Sequence, residues 1–181
     1  MKTCYFTFGR FNPPTIGHEK LIRAVEKSAG SDDYLIYPSQ TFNKPKNPLP
    51  YDYKVEILNK MFPWTKIETA ACCNTIIKVA QDMMMKDYSD IVMVVGSDRV
   101  TDFDKLLQKQ NKIDYTFNSI KVISAGERDP DADGAAGMSA SKMREAVKEG
   151  KTKNFMEGIP NTLSIQEKLE LMEEVRKGMG L

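Results

Sequence analysis

The stretch Thr3-Cys4-Tyr5-Phe6-Thr7-Phe8-Gly9-Arg10-Phe11-Asn12-Pro13-Pro14-Thr15-Ile16-Gly17-His18 decides the fold. Its first six residues, Thr3 to Phe8, are apolar and β-rich and read as a strand. Ile16, Leu21, Ile22 and Val25 then recur at helical spacing, to about Lys27. A strand therefore turns sharply into a helix through a loop of Gly, Pro and Asn. A helix N-terminus carries unpaired N–H groups and a partial positive charge, which makes it a natural anion site. The chain's one histidine, His18, stands there with the hydroxyl of Thr15. A residue three positions on lies about one helical turn away, so both side chains can face one phosphate and donate to its oxygens.

Outward from this stretch the chain alternates strand and helix. Tyr34 to Tyr37 reads as a strand, followed by a polar, proline-rich loop from Pro38 to Pro50. A helix over Tyr51 to Phe62 offers Tyr53, Val55, Ile57, Leu58 and Met61 for burial. Lys66 to Thr69 reads as a third strand and Thr75 to Met85 as a helix. Asp90 to Gly96 is the clearest strand, because five consecutive apolar residues suit a parallel strand covered on both faces. A helix over Val100 to Gln108, a strand over Ser119 to Ser124 and a loop over Ala125 to Met138 follow. Ser139 caps a helix running to Lys148. A short helix near Lys153 to Glu157 and a last one over Ile165 to Lys177 complete the chain. This order implies βαβ units and a doubly wound, Rossmann-like α/β sheet, mostly parallel, with C-terminal helices. The reading is one domain over residues 1–181, with its core to about 150 and a helical tail over 151–181.

Composition narrows the function. The length allows a substantial core. A net charge of +1 gives no electrostatic case for nucleic acid or an acidic membrane as partner. The longest apolar run, Ile91 to Val95, is far too short to span a bilayer. The N-terminus enters a strand directly, without a signal-peptide pattern, so the expected location is the cytoplasm. Cys4, Cys72 and Cys73 give neither a disulfide framework nor the usual zinc spacing, and they read as small buried residues in a reducing compartment.

Ligands of such sheets bind at the carboxyl ends of the strands. Two further loops there carry suitable groups. Gly137-Met138-Ser139-Ala140-Ser141-Lys142-Met143-Arg144 places two hydroxyls, a helix N-terminus, a lysine and an arginine within a short span. That set suits a polyphosphate, with one point charge and one forked cation. Val95-Gly96-Ser97-Asp98-Arg99 follows the clearest strand. Its Gly96 lets a ligand approach the backbone, and Asp98 can accept from ribose hydroxyls or cap the helix that follows. Asp129-Pro130-Asp131-Ala132-Asp133-Gly134 begins like a calcium loop, but the twelfth position is Ala140 where a bidentate Glu is needed. The segment Glu127 to Gly134 reads better as an acidic lid or a loop touching an acceptor.

These residues resemble the HxGH-type nucleotidyltransferase superfamily. Gly9 to His18 matches its first signature in the form GRFxPxTxGH, with Thr15 at the first His/Thr place and His18 at the second. Met138 to Arg144 resembles the second signature, ISSTxxR, with Ala140 departing from it by the loss of one hydroxyl. Gly96 and Asp98 resemble the GxD element. Ser39-Gln40 and Asn47-Pro48 resemble the SAQ…NPF region of archaeal-type nicotinamide-nucleotide adenylyltransferases, where Lys44 and Lys46 close over phosphate as a lid. The variant SASKMR, preceded by Glu127 to Asp131, is most similar to nucleotidyltransferase-like proteins of large tailed phages.

The resemblance implies a five-stranded parallel sheet and transfer of a nucleotidyl group, AMP from ATP, to a phosphorylated acceptor with release of pyrophosphate. Nicotinamide mononucleotide is the first acceptor it suggests. It implies catalytic roles for His18, Thr15 and Arg144, and nucleotide binding by Gly9, Arg10, Phe11, Gly17, Gly96, Asp98, Ser139, Ser141 and Lys142. Ser39, Gln40, Lys44 and Lys46 fall to the acceptor or lid. Mg²⁺ enters with ATP, through substrate phosphates and water, with no dedicated carboxylate cage. The partners expected are small molecules, and a homo-oligomer stays open. Two alternatives remain: a cytidylyltransferase with a phospho-alcohol acceptor, and a non-catalytic nucleotide-binding protein, against which the intact His18 and Arg144 argue.

Overall fold

The computed structural model of the protein describes residues 1–126 and 138–181. The expected acidic lid, Glu127 to Gly134, lies outside the described residues, as does Gly137. The chain forms two compact units, both discontinuous in sequence. The first comprises Met1–Gly9, Leu21–Ser39 and Lys66–Arg128; the second comprises Arg10–Lys20, Gln40–Thr65 and Asp129–Leu181.

The first unit holds the sheet. Strands β1 (Thr3–Gly9), β2 (Asp33–Pro38), β3 (Asp90–Val95) and β4 (Ser119–Ser124) pair in the order β2-β1-β3-β4, all parallel. The chain order reverses between β1 and β3, which makes that gap the topological switch point. β3 is buried from Ile91 to Val95, as expected for a strand covered on both faces. Helices α3 (Ile76–Met85) and α4 (Val100–Gln110) contribute Val79, Met83 and Leu107 to a core with Cys4, Phe6, Tyr37, Ile91 and Met93. Thr75 caps α3 by accepting from the Lys78 amide. Helix α1 (Ile16–Ala29) buries Ile22 and Val25.

Among the described residues the sheet has four strands where five were expected. The segment Lys66 to Thr69 makes one parallel bridge, Ile36 to Ile67, with the Ile36 N–H donating to Lys66 O and the Glu68 N–H to Ile36 O. It stops there because the Glu68 carboxylate accepts the amides of Thr69 and Ala70, both at 3.0 Å. A side chain thus takes the backbone donors that a longer strand would have spent on pairing.

The second unit is helical: α2 (Tyr51–Met61), α5 (Ala140–Lys148), α6 (Thr152–Glu157) and α7 (Ile165–Met179), with the first turn of α1. Helices α5, α6 and α7 pack on one another, burying Met143, Val147, Phe155, Leu171 and Val175. Ser164 and Glu167 form a reciprocal capping box that starts α7. The Ile16 amide, one of the orphan donors of α1, is taken by the Gly158 carbonyl at 2.9 Å.

Candidate active site

Within the second unit the loop after β1 is held from beneath. Asn12 is fully buried; its Oδ1 accepts from the Leu49 amide at 2.8 Å and its Nδ2 donates to the Leu49 carbonyl at 3.4 Å. That pair bonds Asn12 to the backbone as another strand residue would. Lys54 of α2 is also fully buried and donates through Nζ to the Arg10 carbonyl at 2.7 Å. Burial pushes its pKa down to about 8. Phe11 has φ of +46° and no exposed surface, a left-handed conformation that non-glycine residues rarely adopt. Its ring meets the His18 imidazole edge-on, with centroids 4.9 Å apart.

Thr15 is the N-cap of α1. Its Oγ1 accepts from the amides of Gly17 at 3.1 Å and His18 at 3.4 Å, and lies 3.2 Å from His18 Nδ1. With no exposed surface, Thr15 is placed to orient His18 and the helix terminus. The same hydroxyl caps the first turn of α1. His18 Nδ1 accepts the Thr15 amide at 3.0 Å. A backbone N–H can only donate, so Nδ1 carries a lone pair, and in the neutral ring the proton sits on Nε2.

The second motif reaches the same loop. Ser139 caps α5 by accepting from the Lys142 amide at 3.2 Å. Arg144, one turn on, donates through Nη1 to the Asn12 carbonyl at 2.9 Å and through Nη2 to Ser141 Oγ at 3.1 Å. Its guanidinium is therefore fixed in two directions. Its pKa is lowered by burial first and then by the nearby Arg10 charge; a bound anion would relieve both penalties.

Within the second unit Thr15, Gly17 and His18 share one hydrogen-bonded turn with the Phe11 ring against the imidazole, and Arg144 ties Ser141 to the Asn12 carbonyl of the same loop, with the Arg10 charge nearby. Ser139 and Lys142 stand at the N-cap and in the first turn of α5. Lys44 and Lys46 are exposed beside Pro45 in a turn closed by reciprocal Asn43–Asn47 backbone bonds, and Gln40 is half-buried at the start of that loop. The other expected residues belong to the first unit. Gly9 ends β1, its carbonyl accepting the amide of buried Ser39 at 2.7 Å. Gly96 and Asp98 lie at the end of β3, Asp98 exposed in a 3-10 turn. The N-cap of α4 is Arg99.

Asn12 and Lys54 escaped the sequence reading. Lys54 carried a signal: it shares an i, i+4, i+7 stripe with Leu58 and Met61, so a helix that buries those two must bury the lysine. Among the described residues, Cys72, Cys73 and Asp82 are the group close enough together to hold a metal ion, and they lie in the first unit. The region around His18 offers N–H and cationic donors, which fits a Mg²⁺ carried on substrate phosphates.

The sequence of the cytidylyltransferase-like family matches residues 6–146, spanning both motifs. The chain belongs to the cytidylyltransferase-like family. This makes it a nucleotidyltransferase by family, and the solved structures it resembles share the fold. A protein assigned as a nicotinate-nucleotide adenylyltransferase from Vibrio parahaemolyticus is 18% identical, with TM-score 0.59, covering 95% of this chain and 99% of that one. Nicotinic acid mononucleotide adenylyltransferase from Plasmodium falciparum, complexed with NaAD, is 13% identical, with TM-score 0.60, over 98% and 96%. A bifunctional NMN adenylyltransferase/ADP ribose pyrophosphatase from Francisella tularensis, complexed with AMP and a manganese ion, is 16% identical, with TM-score 0.56, over 99% of this chain and 52% of that one. At these identities the likeness of the cytidylyltransferase-like chain to them is one of fold. No curated protein matches the sequence significantly. No helix among the described residues is long and apolar enough to cross a membrane.

Proposed function

We propose that the protein is an adenylyltransferase that moves AMP from ATP to the phosphate of a mononucleotide, with nicotinamide mononucleotide as the first acceptor. An acceptor phosphate oxygen attacks the α-phosphorus in line. The bond from that phosphorus to the bridging oxygen breaks, and pyrophosphate leaves. The observation that carries this reading is the hydrogen bond from Arg144 to the Asn12 carbonyl. It joins the two motifs, 132 residues apart in sequence, into one cationic, donor-rich locus.

The chemistry asks for positioning and charge neutralisation more than for covalent participation. His18, with its proton on Nε2, donates to the oxygen where charge develops. Thr15 fixes the ring and caps the helix. Arg144 holds the departing pyrophosphate, with Arg10, Ser139, Ser141 and Lys142 supplying further donors. Mg²⁺ bound to the triphosphate supplies further neutralisation of the phosphate charge. These substrates imply work in the cytoplasm.

The family description favours one second reading, a cytidylyltransferase with a phospho-alcohol acceptor. Pyrophosphate release from each NTP with Mg²⁺, with and without nicotinamide mononucleotide, tests both. ATP turnover that depends on the mononucleotide and yields NAD supports the adenylyltransferase. CTP turnover with a phospho-alcohol supports the second reading. Absence of NTP binding by calorimetry overturns both in favour of a non-catalytic nucleotide-fold protein.

A further inference from the structure

The first unit carries a second chemically equipped cluster, which nucleotidyl transfer leaves unused. Adjacent residues in an extended chain point to opposite sides, yet Cys72 and Cys73 bring their Sγ atoms to 3.2 Å. The cause is a tight turn before α3, in which the Cys73 amide bonds to Ala70 O at 3.1 Å and the Asn74 amide to Cys72 O at 3.0 Å. The third member, Asp82, comes from the second turn of α3. Its Oδ1 lies 4.0 Å from Cys72 Sγ, and one ligand atom from each of the three residues falls within 4.8 Å of the others.

The carboxylate is already oriented. The Tyr37 hydroxyl donates to Asp82 Oδ2 at 2.8 Å, and the Lys86 ammonium lies 2.9 Å from Oδ2, 3.1 Å from Oδ1 and 3.4 Å from Glu68, so a bound ion would take Oδ1 from Lys86 while Oδ2 and Glu68 keep it. These are the outer partners that a ligating carboxylate ordinarily has. Sulfur ligands about 2.3 Å from a tetrahedral ion stand about 3.8 Å apart. The observed thiols need only a small opening to reach that spacing. Cys73 is buried while Cys72 is exposed, so one side of the cluster meets solvent and the ion has a way in.

We infer that Cys72, Cys73 and Asp82 form a binding site for one thiophilic divalent cation of the zinc type, separate from the nucleotide chemistry. Binding forms two metal–sulfur bonds and one metal–oxygen bond, and the two S–H protons pass to solvent. Softness selects the ion: two thiolates favour zinc or cadmium over magnesium.

Cadmium serves as the probe, because its bond to thiolate produces a charge-transfer absorption in the ultraviolet. Titration of the reduced full-length protein in excess Mg²⁺ is expected to show one equivalent of saturable absorption. Cys72→Ser, at an exposed position, should keep the melting temperature of the wild type and lose the signal. Asp82→Asn should keep both thiols and bind at least about tenfold more weakly. An undiminished band in Cys72→Ser, equal affinity in Asp82→Asn, or no saturable band in the wild type overturns the site. Loss of two hydrogens in the intact mass of the protein under air, with no metal uptake by its reduced form, would make the pair a vicinal disulfide and overturn it too.

Discussion

The Thr15 backbone amide donates to His18 Nδ1 at 3.0 Å, across the first turn of α1. That bond settles which ring nitrogen can donate, and so it links the start of a helix to the direction of proton donation at the proposed reaction centre.

His18→Ala is expected to lower kcat by about two to three orders of magnitude with little change in melting temperature, since one preorganised donor to transition-state charge is lost. Steady-state kinetics with a thermal melt measures both. Turnover near the wild-type value would remove His18 from catalysis.

Thr15→Ala removes the α1 cap and one constraint on the imidazole. A stability loss of about 0.5–2 kcal/mol is expected, together with lower kcat. Thr15→Ser retains the oxygen and should recover both. Denaturant melts and kinetics on the pair decide the matter: equal stability and kcat in the two variants would show that Oγ1 does neither job.

Arg144→Lys should reduce kcat/KM for the NTP by about tenfold or more. A guanidinium bonds Asn12 O and Ser141 Oγ and still has N–H donors left for a phosphate, whereas an ammonium on a flexible stem cannot hold that geometry. If kcat/KM is unchanged, Arg144 is a packing residue of α5.

Lys54 makes stability depend on pH. Its native pKa of about 8 lies below the ordinary value of 10.5, so between the two the unfolded chain binds more protons. Lys54 therefore destabilises the native state in full below pH 8, and the effect fades as pH rises toward 10.5. It amounts to about 3 kcal/mol at most. The stability difference between Lys54→Met and wild type should consequently shift by that order, in favour of wild type, from pH 7.5 to 10.5. Parallel curves from chemical denaturation over that range would mean that Lys54 titrates normally.

Gly178→Ala should destabilise the protein by about 1–3 kcal/mol. A Cβ there would run into the Pro48 carbonyl, which is backbone and cannot swing aside. A melting temperature equal to wild type would show that α7 can shift away from the loop.

The parts of this molecule written in local pattern were legible from sequence. The apolar run of β3, the cap at Ser139, and the strand-loop-helix around His18 depend on neighbours within a few residues. Other features depend on distant partners. Lys54 is buried because the Arg10 carbonyl waits for it, and Asn12 because Leu49 does. Periodicity could place Lys54 on an apolar face but could not name its acceptor. The fifth strand failed on a competition: the β-forming residues near Ile67 were visible, while the Glu68 carboxylate capturing two amides was not.

That curtailed pairing at Ile67 bears on self-association. Backbone groups alternate sides along a strand, and Ile36 turns its N–H and C=O away from β1 toward Lys66 and Glu68. Tyr34 and Pro38 share that outward side. Pro38 has no N–H to offer, and Ile36 is already engaged. A foreign strand approaching the rim of the sheet would find a single outward donor, at Tyr34, where templated growth needs an uninterrupted row. Three residues that fall short of being a strand are thus enough to guard the flank of β2 against aggregation.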